Sequence, residues 1–493
     1  MSQRQFHTEN FFPKTEILVH TWRGDRFVLT AVGENAFIGW SSQKDTTSAG
    51  TFSITLTSIR DRNGLSWAEK ILPMDYIEIR ALADSQSPNA APIVIMRGFV
   101  DSSEETLVFD QAEGGPARQV LISGTDYTKI YQMFQIQYLW QTNTKAYVLA
   151  QNPYLAFALD AFMHTGLLTK HVVSIPEYIG ILDKKVLGHF TGPLVGHFDG
   201  KIPVPVSKVF IPSSFLVAPN YIENFTGSIW ELYTYYQAPP WGELFVYDEP
   251  GSDAPTLLFR IAPYLDIEGN APPALYDQFS LLPKLTLSST ELNAFTVYRS
   301  DSDVMNFFFS EGDTSTSNTL TFPFFVTGSV GESLFVNGSG AKTNPGSVIG
   351  PGSKSNLRPA NPIINTDSIS LYGFRPLTEQ SPWFSGLLWN MGTELQSKSK
   401  KKASVDLTLK SVRSLAQELN YWLYFTYKDM ASFLFGTITC EGRPEYAVGR
   451  YLVTDEISHE GKQEFYITSV QHTYTQFGTW TTQLGVSRGR RIA

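Results

Sequence analysis

The chain has a single cysteine, Cys440, among its 493 residues. One thiol excludes an intramolecular disulfide framework and a zinc site that needs several thiolates. Met1–Pro13 contains no apolar segment of signal-peptide length, and no apolar run in the chain approaches the ~18 to 20 residues needed to span a bilayer. The sequence therefore predicts a soluble protein that matures in a reducing cytoplasm.

Charged residues are also scarce, at 17% of the chain, and acidic residues exceed basic ones to give a net charge of -9. A dedicated nucleic-acid-binding protein usually has a basic face that neutralises phosphates, so this balance disfavours that class. A wall past which DNA must slide should not bind phosphates, and an acidic balance is compatible with such a conduit. The lysine run Lys398, Lys400, Lys401 and Lys402 could contact DNA or an acidic partner, but a solvated linker between two helices is the favoured interpretation.

Hydrophobic residues are abundant at 42%, with 34 Phe and 23 Tyr, which indicates a globular chain rich in β-structure and interfaces. At the usual scale of ~150 residues per domain, the length predicts about three domains. The fold class expected is mainly β with α+β parts, in which two small antiparallel β-barrels accompany a mixed helical insertion.

Residues 1–145 are predicted to form the first barrel, because short β-type segments recur between Gly, Asp, Asn and Pro turns. These segments are Ile17–His20, Arg26–Val32, Gly50–Ile59, Tyr76–Ala81, Ile93–Val100, Glu105–Phe109 and Val120–Ser123. A helix is predicted over Lys129–Trp140, with Thr125 or Asp126 as its N-cap.

The remaining boundaries follow changes in composition and periodicity. Residues 146–284 are predicted to be a mixed, mainly helical insertion, residues 285–327 the start of the second barrel, residues 328–435 a loop-rich and helical segment, and residues 436–493 the closing strands. Helices are predicted at Pro153–Gly166, Asn224–Tyr235, Trp383–Leu395 and Val412–Tyr427, with a Pro- and Gly-rich connector that contains His189 and His197. Residues 328–362 are predicted to be an extended loop.

The final stretch alternates apolar and polar residues, but the step from Ile467 to Val470 breaks the alternation and predicts a β-bulge. Its strand order also suggests an internal repeat. The segments Asp75–Ile79, Ile95–Val100 and Gln119–Gly124 follow one another as do Arg450–Val453, Tyr466–Val470 and Trp480–Leu484, although the residues barely match.

Four groups of short motifs, in the order in which they occur along the chain, resemble those of the hub proteins of phage tails and baseplates. That family also contributes the hub part of type VI secretion spikes. The positions that carry the resemblance are Tyr127 in Ser-Gly-Thr-Asp-Tyr; Arg299, Asp303 and Asn306 in Arg-Ser-Asp-Ser-Asp-Val-Met-Asn; Tyr372, Gly373 and Arg375 in Tyr-Gly-Phe-Arg-Pro; and Gly442, Arg443, Pro444, Glu445, Gly449, Tyr466, Val470, His472, Thr481, Leu484, Arg488 and Gly489 in the last stretch.

The resemblance implies a structural protein of the virion, assembled in the host cytoplasm and located in the tail baseplate. Three chains with two similar barrels each would place six modules around one axis. Such a homotrimer could join a six-fold tail tube or distal tail protein to a three-fold spike or fibre, and DNA would pass through the central channel. No enzymatic activity, cofactor, metal or membrane span is expected.

The sequence also contains residues that could catalyse a reaction or bind a metal ion, but a structural role is favoured for each of them. The carboxylate pairs Asp301 and Asp303, Glu104 and Glu105, and Asp455 and Glu456 could serve a glycosidase or a metal site, but acidic turns are common. His189, His197 and Asp199 lack a tight zinc-ligand spacing. The glycine-rich segment Gly338–Thr343 superficially resembles the end of a phosphate-binding loop. The motif fails at two positions, because Val336 stands where the leading glycine belongs and Ala341 stands where the glycine before the lysine is required.

Cys440 is predicted to be a small buried hydrophobe, and His472 a packed structural residue. Two other hypotheses remain open at this point. One is a tail-associated hydrolase of cell-wall glycan that uses Glu or Asp in the insertion, and the other is a receptor- or carbohydrate-binding tail protein that uses exposed aromatic side chains.

Overall fold

The computed structural model describes residues 13–31, 37–58, 64–82, 92–110, 115–137, 173–174, 176, 179–180, 182–211, 216–217, 226–249, 251–272, 283–313, 362–385, 402–458, 461–476 and 479–492. The described structure is mainly β, as the sequence predicted, and its largest element is one curled 13-stranded sheet. Two three-stranded sheets, two two-stranded sheets and a few helices accompany it in the described residues.

The strands are β1 (Lys14–His20), β2 (Arg26–Thr30), β3 (Phe37–Asp45), β4 (Thr51–Thr57), β5 (Tyr76–Leu82), β6 (Ile93–Asp110), β7 (Gly115–Asp126), β8 (Gln135–Gln137), β9 (Val173–Ser174), β10 (Val206–Phe210), β11 (Leu216–Val217), β12 (Thr226–Ser228), β13 (Gly242–Tyr247), β14 (Thr256–Ile261), β15 (Leu285–Leu287), β16 (Leu292–Tyr298), β17 (Phe307–Asp313), β18 (Ile363–Ile364), β19 (Pro376–Ser385), β20 (Leu434–Glu441), β21 (Tyr451–Ser458), β22 (Gly461–Thr475) and β23 (Trp480–Arg491).

The helices are α1 (Trp67–Lys70), α2 (Thr128–Met133), α3 (Gly188–His197), α4 (Ile229–Gln237), α5 (Thr366–Tyr372) and α6 (Lys402–Tyr427). A π-helical segment, Leu182–Leu187, leads into α3, and a 3-10 turn, Met430–Ser432, follows α6. Among the described residues, no helix has the length and apolar character required to cross a membrane.

The 13-stranded sheet joins the beginning and the end of the chain. Its strand order is β16-β20-β23-β22-β3-β4-β7-β6-β5-β1-β2, with β21 beside β22 and β15 beside β21. The connection is the antiparallel pairing of Ser469–Thr475 in β22 with 39–45 in β3. The sequence predicted two separate sheet-built blocks and gave no sign of this junction.

Local patterning explains the inner face of the sheet. In β4, Phe52, Ile54 and Leu56 are buried, and the threonine and serine residues between them face away from the core. The predicted bulge in β22 is confirmed, because the register against β23 shifts between Ile467 and Ser469.

The segment between the two blocks forms its own sheet, which shares a buried core with the large sheet, and a capped helix that packs on β13. The order of this sheet is β10-β14-β13, and every residue of β13 and β14 is buried. Helix α4 begins with a capping box, in which the Ser228 hydroxyl accepts from the Glu231 N–H and the Glu231 carboxylate accepts from the Ser228 N–H. This helix confirms the one predicted around Asn224–Tyr235, whereas β13 and β14 were not predicted.

Four predictions within the described residues are wrong. The helix predicted over Lys129–Trp140 is the short α2, capped at Tyr127 and followed by β8. Glu105–Phe109 is not a separate strand but the continuation of β6.

The connector around His189 and His197 is largely helix α3. The start of the helix predicted over Trp383–Leu395 is instead the end of β19, which pairs with β17 in parallel. Other predictions lie outside the described residues, namely the helix Pro153–Gly166, the loop over 328–361, the segment Gly338–Thr343 and the lysines 398, 400 and 401.

Candidate functional site

Two groups of five strands have the same topology. We call β3–β7 the first module and β16 with β20–β23 the second module. The first pairs in the order β3-β4-β7-β6-β5 and the second in the order β16-β20-β23-β22-β21, and every pairing is antiparallel. The strand order that the sequence suggested to be repeated is therefore repeated, and it extends over five strands in each module.

Two register irregularities occur at corresponding places in both modules. Strand β3 shifts against β4 at Phe37/Gly39, and β16 shifts against β20 at Leu292/Ala294. Strand β6 shifts against β7 at Val100/Ser102, and β22 shifts against β23 at Ile467/Ser469. Bulges are position-specific features that persist within families, so their coincidence supports a duplication. It also assigns structurally equivalent residues, of which the pairs Trp40 with Phe295 and Tyr474 with Leu107 are used below.

The modules differ at their outer strands. Strand β1 pairs antiparallel with β5, whereas β15 pairs in parallel with β21. The second module also has two register shifts that the first module lacks, between Glu464 and Tyr466 and between Leu434 and Gly436. The duplication therefore covers the five-strand unit and not the strands that flank it.

Within the chain, β22 of the second module pairs with β3 of the first module. At this β22–β3 junction, Tyr474 stacks on Trp40 with ring centroids 6.1 Å apart, and the two side chains are 6% and 2% exposed. Burial of large aromatic side chains makes the junction part of the core.

Strand β6 is the equivalent of β22, and strand β16 is the equivalent of β3, but the edges of β6 and β16 that correspond to the junction are open. Among the described residues, 102–107 of β6 pair only with β7, and β16 pairs only with β20. Leu107 is 66% exposed and Tyr298 is 58% exposed. Each chain thus contains one completed junction and the two strand edges that would form a second one.

Two adjacent rows of side chains on the outward face of the sheet are uncharged and polar, whereas Leu121 and Glu104 lie in the row beside them. One row across six neighbouring strands is Thr481, Thr473, Ser41, Ser53, Ser123 and Ser102, and the next row is Gln483, Gln471, Gln43, Thr51 and Thr125. These side chains are exposed or half-buried. Hydroxyl pairs link neighbouring strands, with Oγ–Oγ distances of 2.9 Å for Ser41–Ser53 and 2.8 Å for Ser102–Ser123. We call these two rows the polar face.

A buried ionic cluster connects the second module to the segment between the modules. The guanidinium of Arg260 lies 3.1 Å from the Glu243 carboxylate and donates to the Gly449 carbonyl at 2.7 Å. The hydroxyl of Tyr466 donates to Glu243 at 2.5 Å. Gly449 has a φ of +76°, and a Cβ there would lie 2.5 Å from the ring of Phe245, so glycine is required.

This cluster accounts for two positions of the resemblance, Gly449 and Tyr466. Burial raises the pKa of Glu243, against the effect of the neighbouring Arg260. Burial likewise raises the pKa of Tyr466 far above its usual value, so the phenol remains a donor. The cluster contains both charges and their hydrogen-bond partners, which makes it an anchor and not a binding site.

Arg488 forms a second anchor. It adopts a φ of +54°, is buried, and donates to the carbonyls of Thr426 and Leu265, both at 2.9 Å. Its guanidinium carbon also lies 4.4 Å from the Phe433 ring centroid and 4.9 Å from that of Tyr264. Helix α6, the segment after β14 and strand β23 are therefore fixed at one point.

Two motifs that are far apart in the sequence meet at Asn306. Its buried amide accepts from the Arg375 N–H at 2.7 Å and donates to the Gly373 carbonyl at 2.6 Å. Arg375 donates in turn to the Asp301 carboxylate at 2.9 Å, and its guanidinium carbon lies 5.8 Å from the Tyr372 ring centroid. The structure thus brings Asn306, Gly373 and Arg375 together, with Tyr372 beside them.

The other positions of the resemblance are distributed over the sheet and its surface. Buried members are Tyr127, whose hydroxyl donates to the Pro203 carbonyl at 2.8 Å, Val470 and Leu484 in the core of the second module, Gly442 and Gly489 against the rings of Trp480 and Phe465, and Pro444. Arg299, Asp303 and Glu445 are exposed, Arg443 pairs with Glu291, and Thr481 belongs to the polar face. These positions do not converge on one catalytic centre.

Where their side chains are described, the residues considered for catalysis or metal binding do not assemble. Within the described part of the chain, no three His, Cys, Asp or Glu side chains are placed to hold a metal ion. His197 and Asp199 are exposed, and Asp199 pairs with Lys201. Asp301 pairs with Arg375, and Glu105 accepts from Ser58 at 3.0 Å.

Cys440 and His472 are buried, as the sequence predicted. Burial raises the pKa of the Cys440 thiol to about 12, so it remains protonated. The Nδ1 atom of His472 lies 2.9 Å from the Thr482 hydroxyl, and burial, together with the nearby charge of Lys44, lowers the pKa of His472 to about 3.

One ionic network was missed by sequence reasoning. Arg97 lies 3.1 Å from Asp248, and Asp248 also pairs with Lys44 at 2.8 Å. All three residues are largely buried, and the network ties β6 and β3 of the first module to the turn after β13. No local motif marks these residues, because their partners lie more than 150 positions apart in the sequence.

No protein-family model matches the sequence, and no curated protein matches it. Among solved structures, the tail protein from Neisseria meningitidis MC58 is similar, with 10% identity, a TM-score of 0.42 and 96% of each chain covered. The 43 kDa tail protein of prophage MuSo2 from Shewanella oneidensis has 11% identity and a TM-score of 0.41, with 96% of this chain and 98% of that chain covered.

An E. coli protein described as a component of the type VI secretion system has 8% identity and a TM-score of 0.33, with 93% of this chain and 74% of that chain covered. Tail proteins and type VI secretion components are the classes that the sequence motifs resemble.

Proposed function

We propose that this chain is a structural hub of a phage-type tail or of a related injection particle. Three copies would form a ring that joins a six-fold tail tube to a three-fold spike or fibre. The ring would leave a central channel for DNA, and the chain would catalyse no reaction. On this proposal the protein is a virion component of the tail baseplate.

The observation that carries the proposal is the duplicated five-strand unit with coinciding bulges. A chain with two equivalent modules presents two equivalent docking surfaces. Three such chains around a three-fold axis therefore present six, and a three-fold assembly can match a six-fold partner. A receptor-binding protein or a glycan hydrolase has no need of this duplication.

The composition of the polar face supports the proposal of a channel for DNA. Both of its rows contain only serine, threonine and glutamine, so it offers no fixed positive charge to DNA phosphates. DNA binding depends mainly on the neutralisation of phosphates by Lys and Arg. A wall of hydroxyl and amide groups would let DNA pass without retaining it.

The test is the mass and symmetry of the purified chain. We expect a particle of three times 55.2 kDa by analytical ultracentrifugation. Class averages from negative-stain electron microscopy should show an open ring with six similar lobes. A folded chain that stays monomeric over the accessible concentration range, or a trimer with no pore, would contradict the proposal.

A further inference from the structure

We infer that the ring closes by strand addition between copies, in which 102–107 of β6 in one copy pair antiparallel with β16 of the next copy. This inference rests on the proposed trimer and specifies its interface. The partner is a second copy of the same chain, because the missing half of each junction is present elsewhere on that chain. Three such contacts would alternate with the three β22–β3 junctions to give a continuous sheet around the axis.

The duplication sets the register of this pairing. In the β22–β3 junction, Thr473 pairs with Ser41, and Tyr474 pairs with Trp40. When each residue is replaced by its equivalent in the other module, Thr106 of one copy lies opposite Thr296 of the next copy. Likewise, Leu107 of one copy lies opposite Phe295 of the next. In the same way, the pairing of Val470 with Lys44 becomes Ser103 opposite Arg299.

The side chains at the open edges are compatible with this register. Leu107 is 66% exposed, and its equivalent, Tyr474, is buried against Trp40 in the completed junction. Phe295, the equivalent of Trp40, is only partly buried in a single copy. Packing of Leu107 on Phe295 would remove the apolar surface of both residues from water.

The edges also have complementary charge and backbone hydrogen-bonding groups. Glu105 and Arg299 would be diagonal neighbours on one face of the new pair, a spacing at which long side chains of opposite charge interact. Unpaired strand edges are templates for the addition of another strand. Here a defined register and a specific partner would satisfy both edges.

Disulfide trapping tests the register. The variant Thr106→Cys/Thr296→Cys places thiols at directly opposed positions on different copies, and both residues are exposed in a single copy. The matched control is Ser41→Cys/Thr473→Cys, which places thiols at the equivalent positions of the β22–β3 junction within one chain. An off-register control is Thr106→Cys/Tyr298→Cys, because diagonal positions are too far apart for a disulfide of normal geometry.

On mild oxidation, we expect the Thr106→Cys/Thr296→Cys variant to give covalent dimers and trimers on a non-reducing gel, with the trimer as the largest species. The Ser41→Cys/Thr473→Cys control should lose its two new thiols and remain a single chain on the gel. The off-register control should give at least about tenfold less covalent trimer.

A trimer in solution without this cross-link, although the intrachain control oxidises, would overturn the register and leave the proposed ring intact. A folded chain that never trimerises would overturn both the register and the proposed function.

A second variant, Leu107→Asp, tests the interface without a cross-link. We expect the concentration at half-assembly to rise at least about tenfold, because a buried leucine contact is replaced by a buried charge. The thermal unfolding of the single chain should be unchanged, since Leu107 is exposed there. Assembly as strong as that of the unmodified chain would contradict the inference.

Discussion

At the scale of single residues, the buried charges of this chain mark the places where segments distant in sequence meet. Arg260 links β14 to the turn before β21, and Arg488 links β23 to the end of α6. A buried charge is costly unless it is paired and hydrogen-bonded, so each of these positions has a strict requirement for its partners. Their substitution therefore tests the fold more sharply than that of core aliphatic residues.

Tyr466→Phe should destabilise the chain more than Tyr451→Phe does. Both hydroxyls are buried, and each accepts one hydrogen bond, Tyr466 from Arg260 and Tyr451 from the Leu265 N–H. The acceptors differ, because Tyr466 donates to the Glu243 carboxylate, whereas Tyr451 donates to the Pro263 carbonyl. We expect a loss of about 2–3 kcal/mol in the free energy of unfolding for Tyr466→Phe, and of about 1 kcal/mol for Tyr451→Phe. Chemical denaturation measures both, and equal losses would contradict the assignment of Glu243 as an ionised acceptor.

His472→Asn should make stability less dependent on pH. Burial holds the pKa of His472 at about 3 in the folded chain, whereas the unfolded imidazole has a pKa of ~6.5. Below pH ~6.5 the unfolded chain binds a proton that the folded chain does not, so stability should fall as the pH decreases. This loss should reach about 2 kcal/mol by pH 5.

Asn can retain a hydrogen bond to Thr482 without titrating, so the variant should lack this loss. Asp126 acts in the opposite direction, because burial raises its pKa to about 6 and folding then favours its protonated form at lower pH. Asp126 is present in both proteins, so the difference between their unfolding free energies isolates His472. Parallel pH profiles would show that His472 is protonated when folded.

At the scale of elements, the sequence predicted strands well where the local pattern alone determines them. Tyr76–Ala81 and Gly50–Ile59 correspond to β5 and β4, because branched and aromatic residues there alternate with polar ones. Strand β3 was missed because it contains Gly39 and a polar run, and one of its two partners, β22, lies more than 400 residues away. Pairing with β4 on one side and with β22 on the other stabilises β3, and local propensity does not report that pairing.

Trp383 shows the same limit in a helix prediction. The apolar spacing after Trp383 is helical, yet residues 376–385 add to β17 as a strand. The indole Nε1 of Trp383 donates to the Tyr236 carbonyl at 2.6 Å, a contact that spans 147 positions. Likewise, the sequence identified Asn306, Gly373 and Arg375 as notable residues but could not show that they touch.

Asn306→Ala should release the turn that contains Gly373 and Arg375. The Asn306 amide is the donor to one of these residues and the acceptor for the other, so its removal leaves two backbone groups without their partner. We expect a loss of about 2–3 kcal/mol in stability. Amide hydrogen exchange at 372–377 should accelerate at least about tenfold, with little change in β22.

The matched control is Ser302→Ala, at an exposed position in the turn just before Asn306. It should leave exchange at 372–377 unchanged. Equal acceleration in the two variants would mean that Asn306 acts through the general stability of the turn and not through its two hydrogen bonds.

At the scale of the whole molecule, the acidic net charge and the polar face have one consequence for a channel. A chain with a net charge of -9 repels DNA at long range, and the polar face adds no local attraction. The unmodified particle should therefore show no retention of double-stranded DNA at physiological salt.

Lysines on the polar face should convert the particle into a DNA-binding one. Gln43→Lys/Gln471→Lys places two ammonium groups at directly paired positions of β3 and β22, and therefore six in a trimer. We expect measurable DNA binding in a mobility-shift assay, weakened at least about tenfold between 50 and 200 mM salt because phosphate contacts release counterions. The control Val204→Lys/Val206→Lys adds the same charge at exposed positions of the segment between the modules. If the two variants bind equally, total charge governs the interaction, whereas binding by the first alone indicates that DNA reaches the polar face.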